Sequence, residues 1–454
     1  MIPVKRIEFQ LPKEIKGIFS ELKILKYLAA AGITKNLGFS GSYVFQWIFT
    51  LLFQHKNLFQ LLESKKAESL PGKDVMYRFL NHSRFNWRRF LMLLSSDTVK
   101  HIQPLTSSKR VCAFVVDDSM FERNRSKSVE LLARFKDHAT GAYYKGFRML
   151  TLGWSDGHTF LPLDFSLLSS IKSQINGMVK GIDKRTHGFK RRYESLQTAP
   201  RLIPTMLERA LKAGCEATYV LMDSWFTHAP LIEEIRKLGL DVIGMVKNDN
   251  KRYIVGDNKV DLKKLYSLAS TVVSSRKRST VLRSIRTHLV PNIPVLIVFV
   301  RHRSKKNEWL AVLSTDFTIS EEEIIRIYGM RWDIEVFFKC AKSMLRLQKE
   351  FQGRSYDMMI SHTTIVFTRY IVLAWQHRLS TDTRSFGGMF HAMCDEIKEL
   401  DWMVALTTLV ELVEQIMLKS GKRITTWIQK QLIQWISSLP SYIKAYLPIS
   451  MCES

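Results

Sequence analysis

The run Val111-Cys112-Ala113-Phe114-Val115-Val116 carries no charged side chain. It is preceded by the polar Ser107-Ser108-Lys109-Arg110 and ends in Asp117-Asp118. Six apolar residues without alternation, bounded by polar segments, read as a strand buried on both faces. Further strand candidates lie at Phe147 to Trp154, Thr159 to Leu163, Tyr219 to Met222 and Val242 to Val246. A helical pattern precedes the fourth (Tyr219 to Met222), from Pro204 to Leu211, and another follows it, from Pro230 to Leu238. That alternation implies a mixed α/β sheet with helical crossovers.

The flanks differ from this centre. From about residue 14 to 104 apolar residues such as Phe45, Ile48, Phe49, Leu52 and Phe53 recur at helical spacing, with a break at Pro71-Gly72 and a basic cluster at Arg84, Arg88 and Arg89. After Asn250 the segments Ser270 to Ser274, Ser279 to Leu289 and Pro294 to Val300 are rich in β-branched residues, which marks an insertion over roughly 250 to 308. From Ser320 onward helices dominate. Leu406, Leu409, Val413 and Ile416 share one side of a segment that Gly421 should stop. The expected division is a helical N-terminal region (1–105), a first core part (106–249), a β-rich insertion (250–315), a second core part (316–350) and a helical C-terminal region (351–454).

Lys and Arg number 68 against 42 Asp and Glu, a formal charge of +26, so the partner is expected to be a polyanion. An anionic membrane is the weaker choice. Val44 to Phe53 contains Gln46 and Thr50 and is short, while Ile360 to Trp375 contains His362 and Arg369, which are costly in a bilayer. Both segments read as buried helices. The five cysteines are scattered without a Cys-x-x-Cys, so neither a disulfide framework nor a zinc site is suggested, and the start lacks a signal-peptide pattern. A reducing cytoplasm or nucleoid is the expected location. No Gly-rich phosphate loop, His-Glu-x-x-His or Gly-x-Ser-x-Gly occurs, which leaves ATPase, zinc peptidase and serine hydrolase chemistry without support.

Acids at strand ends are delivered to the sheet edge where ligands bind, and two places qualify: Asp117-Asp118 and Asp223. Alone, each is better explained by a turn or helix cap. A third segment changes the weighing. Ser320-Glu321-Glu322-Glu323 forms a capping box, Gly329 interrupts the helix, and from there Arg331, Glu335, Lys339 and Lys342 fall on one helical face. One carboxylate is thus surrounded by cations on a helix whose other faces are apolar. Three carboxylates, Asp118, Asp223 and Glu335, would suit a two-metal phosphoryl-transfer site. Mg²⁺, or Mn²⁺ in its place, needs only oxygen ligands, and two ions activate the attacking oxygen and stabilise the leaving one.

The segment Tyr328-x-x-Arg331-x-x-x-Glu335-x-x-x-x-x-x-Lys342 resembles the Y-R-E-K signature of bacterial insertion-sequence DDE transposases, the IS-four family that includes the transposase of transposon Tn-five. Asp-Asp-Ser at 117–119 and Leu-Met-Asp-Ser at 221–224 stand in the order that family has, and the resemblance covers about residues 110 to 345. It implies an RNase H-like core with a β-rich insertion between the second Asp and the Glu. Asp118 corresponds best to the first acid, with its neighbour Asp117 left open; Asp223 is the second and Glu335 the third. Tyr328, Arg331 and Lys342 would contact phosphates near the transposon end, with Lys339 beside them. Trp309 resembles the tryptophan that stacks on a flipped base, the alternative being a core aromatic at a strand start.

The implied activity is cut-and-paste transposition through hairpin ends, without a nucleotide cofactor. Inverted-repeat ends and target DNA are the partners, and a homodimer forms the synaptic complex. Basic residues between Ile171 and Arg201, among them Lys190, Arg191 and Arg192, are expected to grip backbone phosphate, as is Lys247; a solvated loop is the alternative. Two rival readings remain: another RNase H-like metal-dependent nuclease, and a DNA-binding protein that has lost transposase activity.

Overall fold

The computed structural model describes residues 11, 13–35, 37–54, 58, 63, 71–107, 110–136, 141–249, 251–272, 280–302, 305, 308–351, 353–379 and 385–438. Its centre is one mixed sheet. Five strands form its first half: β1 (Ala113–Glu122), β3 (Tyr143–Ser155), β4 (Phe160–Leu168), β5 (Tyr219–Met222) and β6 (Asp241–Val246). Their spatial order is β4-β3-β1-β5-β6, antiparallel among the first three and parallel from β1 to β6. The short β2 (Ala133–Lys136) pairs with the start of β3.

The apolar run at 111–116 does open a buried strand, with Ala113 to Val116 inaccessible, but the strand does not end there. Its parallel partner β5 stops at Met222, opposite Val116, whereas its antiparallel partner β3 continues alongside as far as Gly146. Asp117 and Asp118 therefore sit in mid-strand, at the point where one bonded edge of β1 becomes open.

Chain 250–315 adds β7 (Tyr253–Val255), β8 (Asn258–Val260), β9 (Ser270–Thr271), β10 (Val281–Leu289), β11 (Ile293–Arg301) and β12 (Trp309–Ser314). β12 returns antiparallel onto β6, with Ala311 opposite Val246 and Ser314 opposite Ile243, so the insertion continues the sheet. The β-branched content of Ile293–Arg301 is explained by its central place: residues 295 to 300 are buried on both faces.

Helices cover this five-stranded half. Trp87–Ile102 and Tyr356–Leu379 lie against β4, and Ala199–Lys212 lies against β3 and β4. Helix Tyr356–Leu379 is buried from residue 356 to 375 despite carrying Ser361, His362, Thr363, Thr364, Thr368 and Arg369. Most of these polar groups have internal partners: Ser361 donates to the Leu80 carbonyl (2.9 Å), Thr364 and Thr368 to carbonyls one turn back, and His362 pairs with Glu350 (2.8 Å). Arg369 donates to Glu350 (2.6 and 3.0 Å), to the carbonyl of Phe49 (2.9 Å) and to that of Ile48. The charge that argues against a membrane span is thus a clamp between helix Gly41–Leu51 and the loop after helix Trp332–Ser343. No helix among the described residues is long and apolar enough to cross a membrane. The N-terminal helices and the sheet share one hydrophobic core that runs from Leu11 to Ile397.

Candidate active site

Asp223 directly follows β5 and opens a tight turn. Its Oδ1 accepts from the backbone N–H of Trp225 (3.0 Å) and Phe226 (3.3 Å), and its carbonyl accepts from the Thr227 hydroxyl (2.7 Å). Thr227 in turn lies against β6 at Gly244, where a Cβ would meet the Thr227 hydroxyl oxygen at 2.4 Å; only glycine lets the turn pack so closely. Val116 is paired with Met222, so Asp117 is the next position in register with Asp223. Neighbours in parallel register point to the same face of a sheet.

The third acid comes from helix Trp332–Ser343. Ile334, Phe337, Phe338 and Ala341 are buried and turn it onto the sheet, with the Phe337 ring 5.2 Å from Phe160. Both ends are tied down. The Ser155 hydroxyl donates to Asp333 (2.7 Å) near the start, and Lys342 Nζ donates to the Ser119 hydroxyl (2.7 Å) near the end. This orientation brings Arg331 between two carboxylates: its Nη1 donates to Asp117 Oδ2 (3.0 Å) and its Nη2 to Glu335 Oε1. The same guanidinium lies 5.9 Å from the centre of the Tyr328 ring. Tyr328, Arg331, Glu335 and Lys342, dispersed over fifteen positions of sequence, thus border one edge of β1.

Electrostatics at this edge are those of crowded acids. Burial raises Asp117, Arg331 opposes the rise, and the charge of Asp223 adds to it, leaving the carboxyl at about 7. Burial likewise lifts the Tyr328 hydroxyl to about 12. Asp117 thus resists ionisation until a cation is near, and with Asp223 and Glu335 beside it the edge offers the donor chemistry of a hard-metal site, all carboxylate oxygen. Among the described residues no three His, Cys, Asp or Glu side chains stand at metal-ligand spacing, and Arg331 occupies the gap between Asp117 and Glu335. Asp117, Asp223 and Glu335 fit the ion by chemistry, with Arg331 as the present counter-charge of Asp117 and Glu335.

Asp118 faces elsewhere. Consecutive strand residues alternate faces, and Asp118 accepts from Arg148 Nη2 (2.9 Å) on β3. The geometry therefore groups Asp117, the neighbour left open by the sequence, with Asp223 and Glu335, and places Asp118 across the strand from them. Lys339 is exposed on the outer side of its helix, and Lys190 and Lys247 are exposed as well.

Arg191 and Arg192 leave the set of phosphate-gripping residues. They lie on helix His187–Ser195 and are buried. Arg192 binds Glu130 (2.7 and 2.8 Å) and Asp357 (2.8 Å), while Arg191 stacks on Phe165 at 4.7 Å, 3.6 Å from Asp164. Their charge is spent on internal acids that lie far away in sequence. Trp309 packs flat on Tyr266 (4.8 Å between ring centres, 12° between planes) and edge-on to Phe299, inside the aromatic cluster of the insertion. Two residues near the acids had gone unnoticed. Trp225 stood in view, two positions after Asp223; Arg148 gave no signal, since its meaning depends on strand pairing.

A sheet of order β4-β3-β1-β5-β6, with one acid in the middle of β1, a second just after the adjacent β5 and a third on the helix after the insertion, defines an RNase H-like fold of the DDE type. Family comparisons agree. Residues 50–266 match the model of the DDE superfamily endonuclease, and residues 187–362 match that of the transposase DDE domain. The two matches support a DDE transposase; such domains suggest a nuclease-type enzyme, are divalent-metal dependent and imply a DNA substrate. No curated protein sequence matches the chain.

Proposed function

We propose that this chain is a DNA transposase of the insertion-sequence type. It binds the inverted-repeat ends of its element, cleaves them by metal-assisted phosphoryl transfer and joins the 3′-hydroxyls to target DNA. The observation that carries the reading is the convergence of Asp117 and Glu335 on Arg331, beside Asp223 and Tyr328. Asp117, Asp223 and Glu335 are the acids that would hold Mg²⁺ or Mn²⁺; when bound, the ions activate the attacking oxygen and neutralise charge on the leaving one.

The chain's own groups then have separable tasks. Arg331 holds Asp117 and Glu335 in place, and through its remaining donors it meets a nonreacting phosphate. Tyr328 and Lys342 border the same strand and orient the backbone on either side of that phosphate. Lys339, Lys190 and Lys247 add a diffuse grip that lowers the dissociation constant without reading sequence. The regions 1–105 and 351–454 serve end binding and pairing of two copies, and movement is cut-and-paste through hairpin ends in a bacterial cytoplasm.

The test is incubation of purified protein with a labelled duplex carrying the end of its element, with Mg²⁺ or Mn²⁺. Wild type is compared with Asp117→Ala, Asp118→Ala and Glu335→Gln. Metal-dependent nicks that vanish in Asp117→Ala and Glu335→Gln are expected. Binding without nicks by wild type sinks the enzymatic reading, and cleavage without strand transfer reduces it to a nuclease. Cleavage that survives Asp117→Ala but is lost in Asp118→Ala restores the sequence-based choice of first acid.

A further inference from the structure

Arg191 has a counter-charge nearby but no acceptor. It is 5% exposed, and its Nε, Nη1 and Nη2 have no hydrogen-bond partner among the described residues; Asp164 stands 3.6 Å from Nη1, beyond hydrogen-bond reach. The carboxylates around it are already engaged. Asp164 accepts from Arg88 Nε (3.0 Å) and Arg209 Nη1 (2.6 Å), and Glu194 from Arg209 Nη2 (2.9 Å) and Arg88 Nη2, one arginine to each oxygen. Three arginines thus meet two carboxylates, and Asp357 close by is bound to Arg192 (2.8 Å). Burial and the charge of Arg88 bring Arg191 down to about 10 from 12.5, which leaves it charged at neutral pH. A buried cation whose donors lack acceptors is costly. Beside it lies a cavity of about 350 Å³, lined also by Arg88, Arg209, Lys190, His187 and Trp87. The indole N–H of Trp87, a residue 4% exposed, likewise has no acceptor among the described residues. Trp87 and His187 open helices Trp87–Ile102 and His187–Ser195, so two positive helix ends border the same space. Burial lowers the His187 pKa, and the charges of Lys190, Arg88 and Arg89 lower it further, as a positive field requires.

We propose that this cavity binds one free oxyanion of the phosphate class, held by the Arg191 guanidinium and the Trp87 indole N–H. A planar guanidinium offers parallel N–H donors that match two oxygens of a phosphate, and helix N-termini favour the same charge. Water could accept from the fork but would leave its charge unanswered. The burial of the donors selects a free ion over the DNA backbone. A duplex phosphate is flanked by two sugars and cannot descend to an arginine that is 5% exposed. The site is also separate from the acid edge of β1. Helices Trp87–Ile102, His187–Ser195 and Ala199–Lys212, which supply Arg88, Arg191 and Arg209, all pack on β4, two strands away from β1 in the sheet. The anion completes the set of charges that fastens these three helices to Asp164 on β4, and through Trp87 and Arg88 it joins the N-terminal helices to the sheet.

The test uses full-length protein, melted in chloride and in inorganic phosphate at matched ionic strength, with binding of radiolabelled phosphate read by equilibrium dialysis. A saturable rise in melting temperature with phosphate is expected, together with saturable binding of the label. Arg191→Met should abolish both. In chloride it should melt no lower than wild type, because it removes a buried charge without breaking a hydrogen bond. Trp87→Phe keeps an aromatic ring and loses the N–H, so it should weaken phosphate binding about fivefold. Failure of wild type to bind the label overturns the proposal, as does a phosphate-dependent rise that Arg191→Met shares equally, which would be a bulk salt effect. A melting temperature of Arg191→Met in chloride well below that of wild type makes Arg191 a structural partner of Asp164 and overturns the site. Displacement of the label by unlabelled duplex DNA overturns the free ion in favour of a backbone phosphate.

Discussion

Replacing Arg369 by methionine would leave Glu350 buried, with only His362 beside it. Burial alone raises this carboxyl, but the Arg369 guanidinium, aided by His362, overrides that and holds it at about 2. Without the arginine, the carboxylate must either be protonated or stay charged with His362 as its one remaining partner. Protonating a group of ordinary pKa 4.5 at pH 7 costs about 2.5 × 1.36, or ~3.4 kcal/mol. The carbonyls of Ile48 and Phe49 lose their donor too, so a total of ~3–5 kcal/mol is expected at pH 7, the scale of a broken buried pair.

The pH dependence distinguishes this origin from lost packing. In wild type the depressed Glu350 contributes stability that is complete above 4.5 and is lost as pH falls toward 2, so between pH 7 and 5 it contributes no slope. In Arg369→Met the folded carboxyl is raised above its unfolded value, so the variant gains stability as pH falls through that window. The gap between the proteins should narrow by up to ~2.7 kcal/mol from pH 7 to pH 5. Urea unfolding of both proteins at the two pH values measures it, with Glu350→Gln in the Arg369→Met background abolishing the slope. A gap below ~1 kcal/mol at pH 7, or one of equal size at pH 5, refutes the assignment of Arg369 as the counter-charge that keeps Glu350 ionised.

Arg192→Ala should lower the urea midpoint by breaking its pairs with Glu130 and Asp357, whereas Lys190→Ala should leave it unchanged and reduce the salt slope of DNA binding; a slope change in Arg192→Ala would return that residue to the interface. Mg²⁺ or Mn²⁺ at a hundred times its dissociation constant should stabilise wild type by ~2.7 kcal/mol, and this gain should disappear in Asp117→Asn but persist in Asp118→Asn, as thermal unfolding with and without metal will show. Trp309→Ala should cost ~3 kcal/mol of unfolding free energy through its lost contacts with Tyr266 and Phe299, and a stable variant would argue that the ring is held for another purpose.

The parts of the fold that could be read from the chain are those governed by local pattern. Tyr219 to Met222 is a strand over those four residues because a short β-rich apolar run between turn formers has few alternatives. The capping box at Ser320 does cap its helix, with the Ser320 hydroxyl accepting from the Glu323 N–H (3.3 Å). What pattern could not supply was pairing across the sheet. Nothing local extends β1 past Val116; the long partner β3 does. Nothing local says that Arg191 and Arg192 turn inward either, since the acids that draw them, Asp164, Glu130 and Asp357, lie 27, 62 and 165 positions away.

The two adjacent aspartates show why this matters for function. Charge, hydropathy and position in the motif are the same for Asp117 and Asp118, so composition and spacing cannot choose between them. Strand geometry can, because successive side chains alternate faces, and the register Val116 with Met222 puts Asp117 on the face shared with Asp223. One helix then fixes the meaning of each face. Arg331 at its start reaches Asp117 and not Asp118, while Asp118 is claimed from the neighbouring strand by Arg148, which stands over Trp225. Adjacent acids of identical chemistry are thereby given different charges to answer: one sits with the carboxylates that call for a cation, the other anchors a cation beside an aromatic surface. If both faces are used, Asp117→Asn and Asp118→Asn should fail in different assays, the first in metal-induced stabilisation and the second in urea unfolding without metal, through its lost pair with Arg148. Equal loss of both properties in either variant would mean that the strand presents one site, not two.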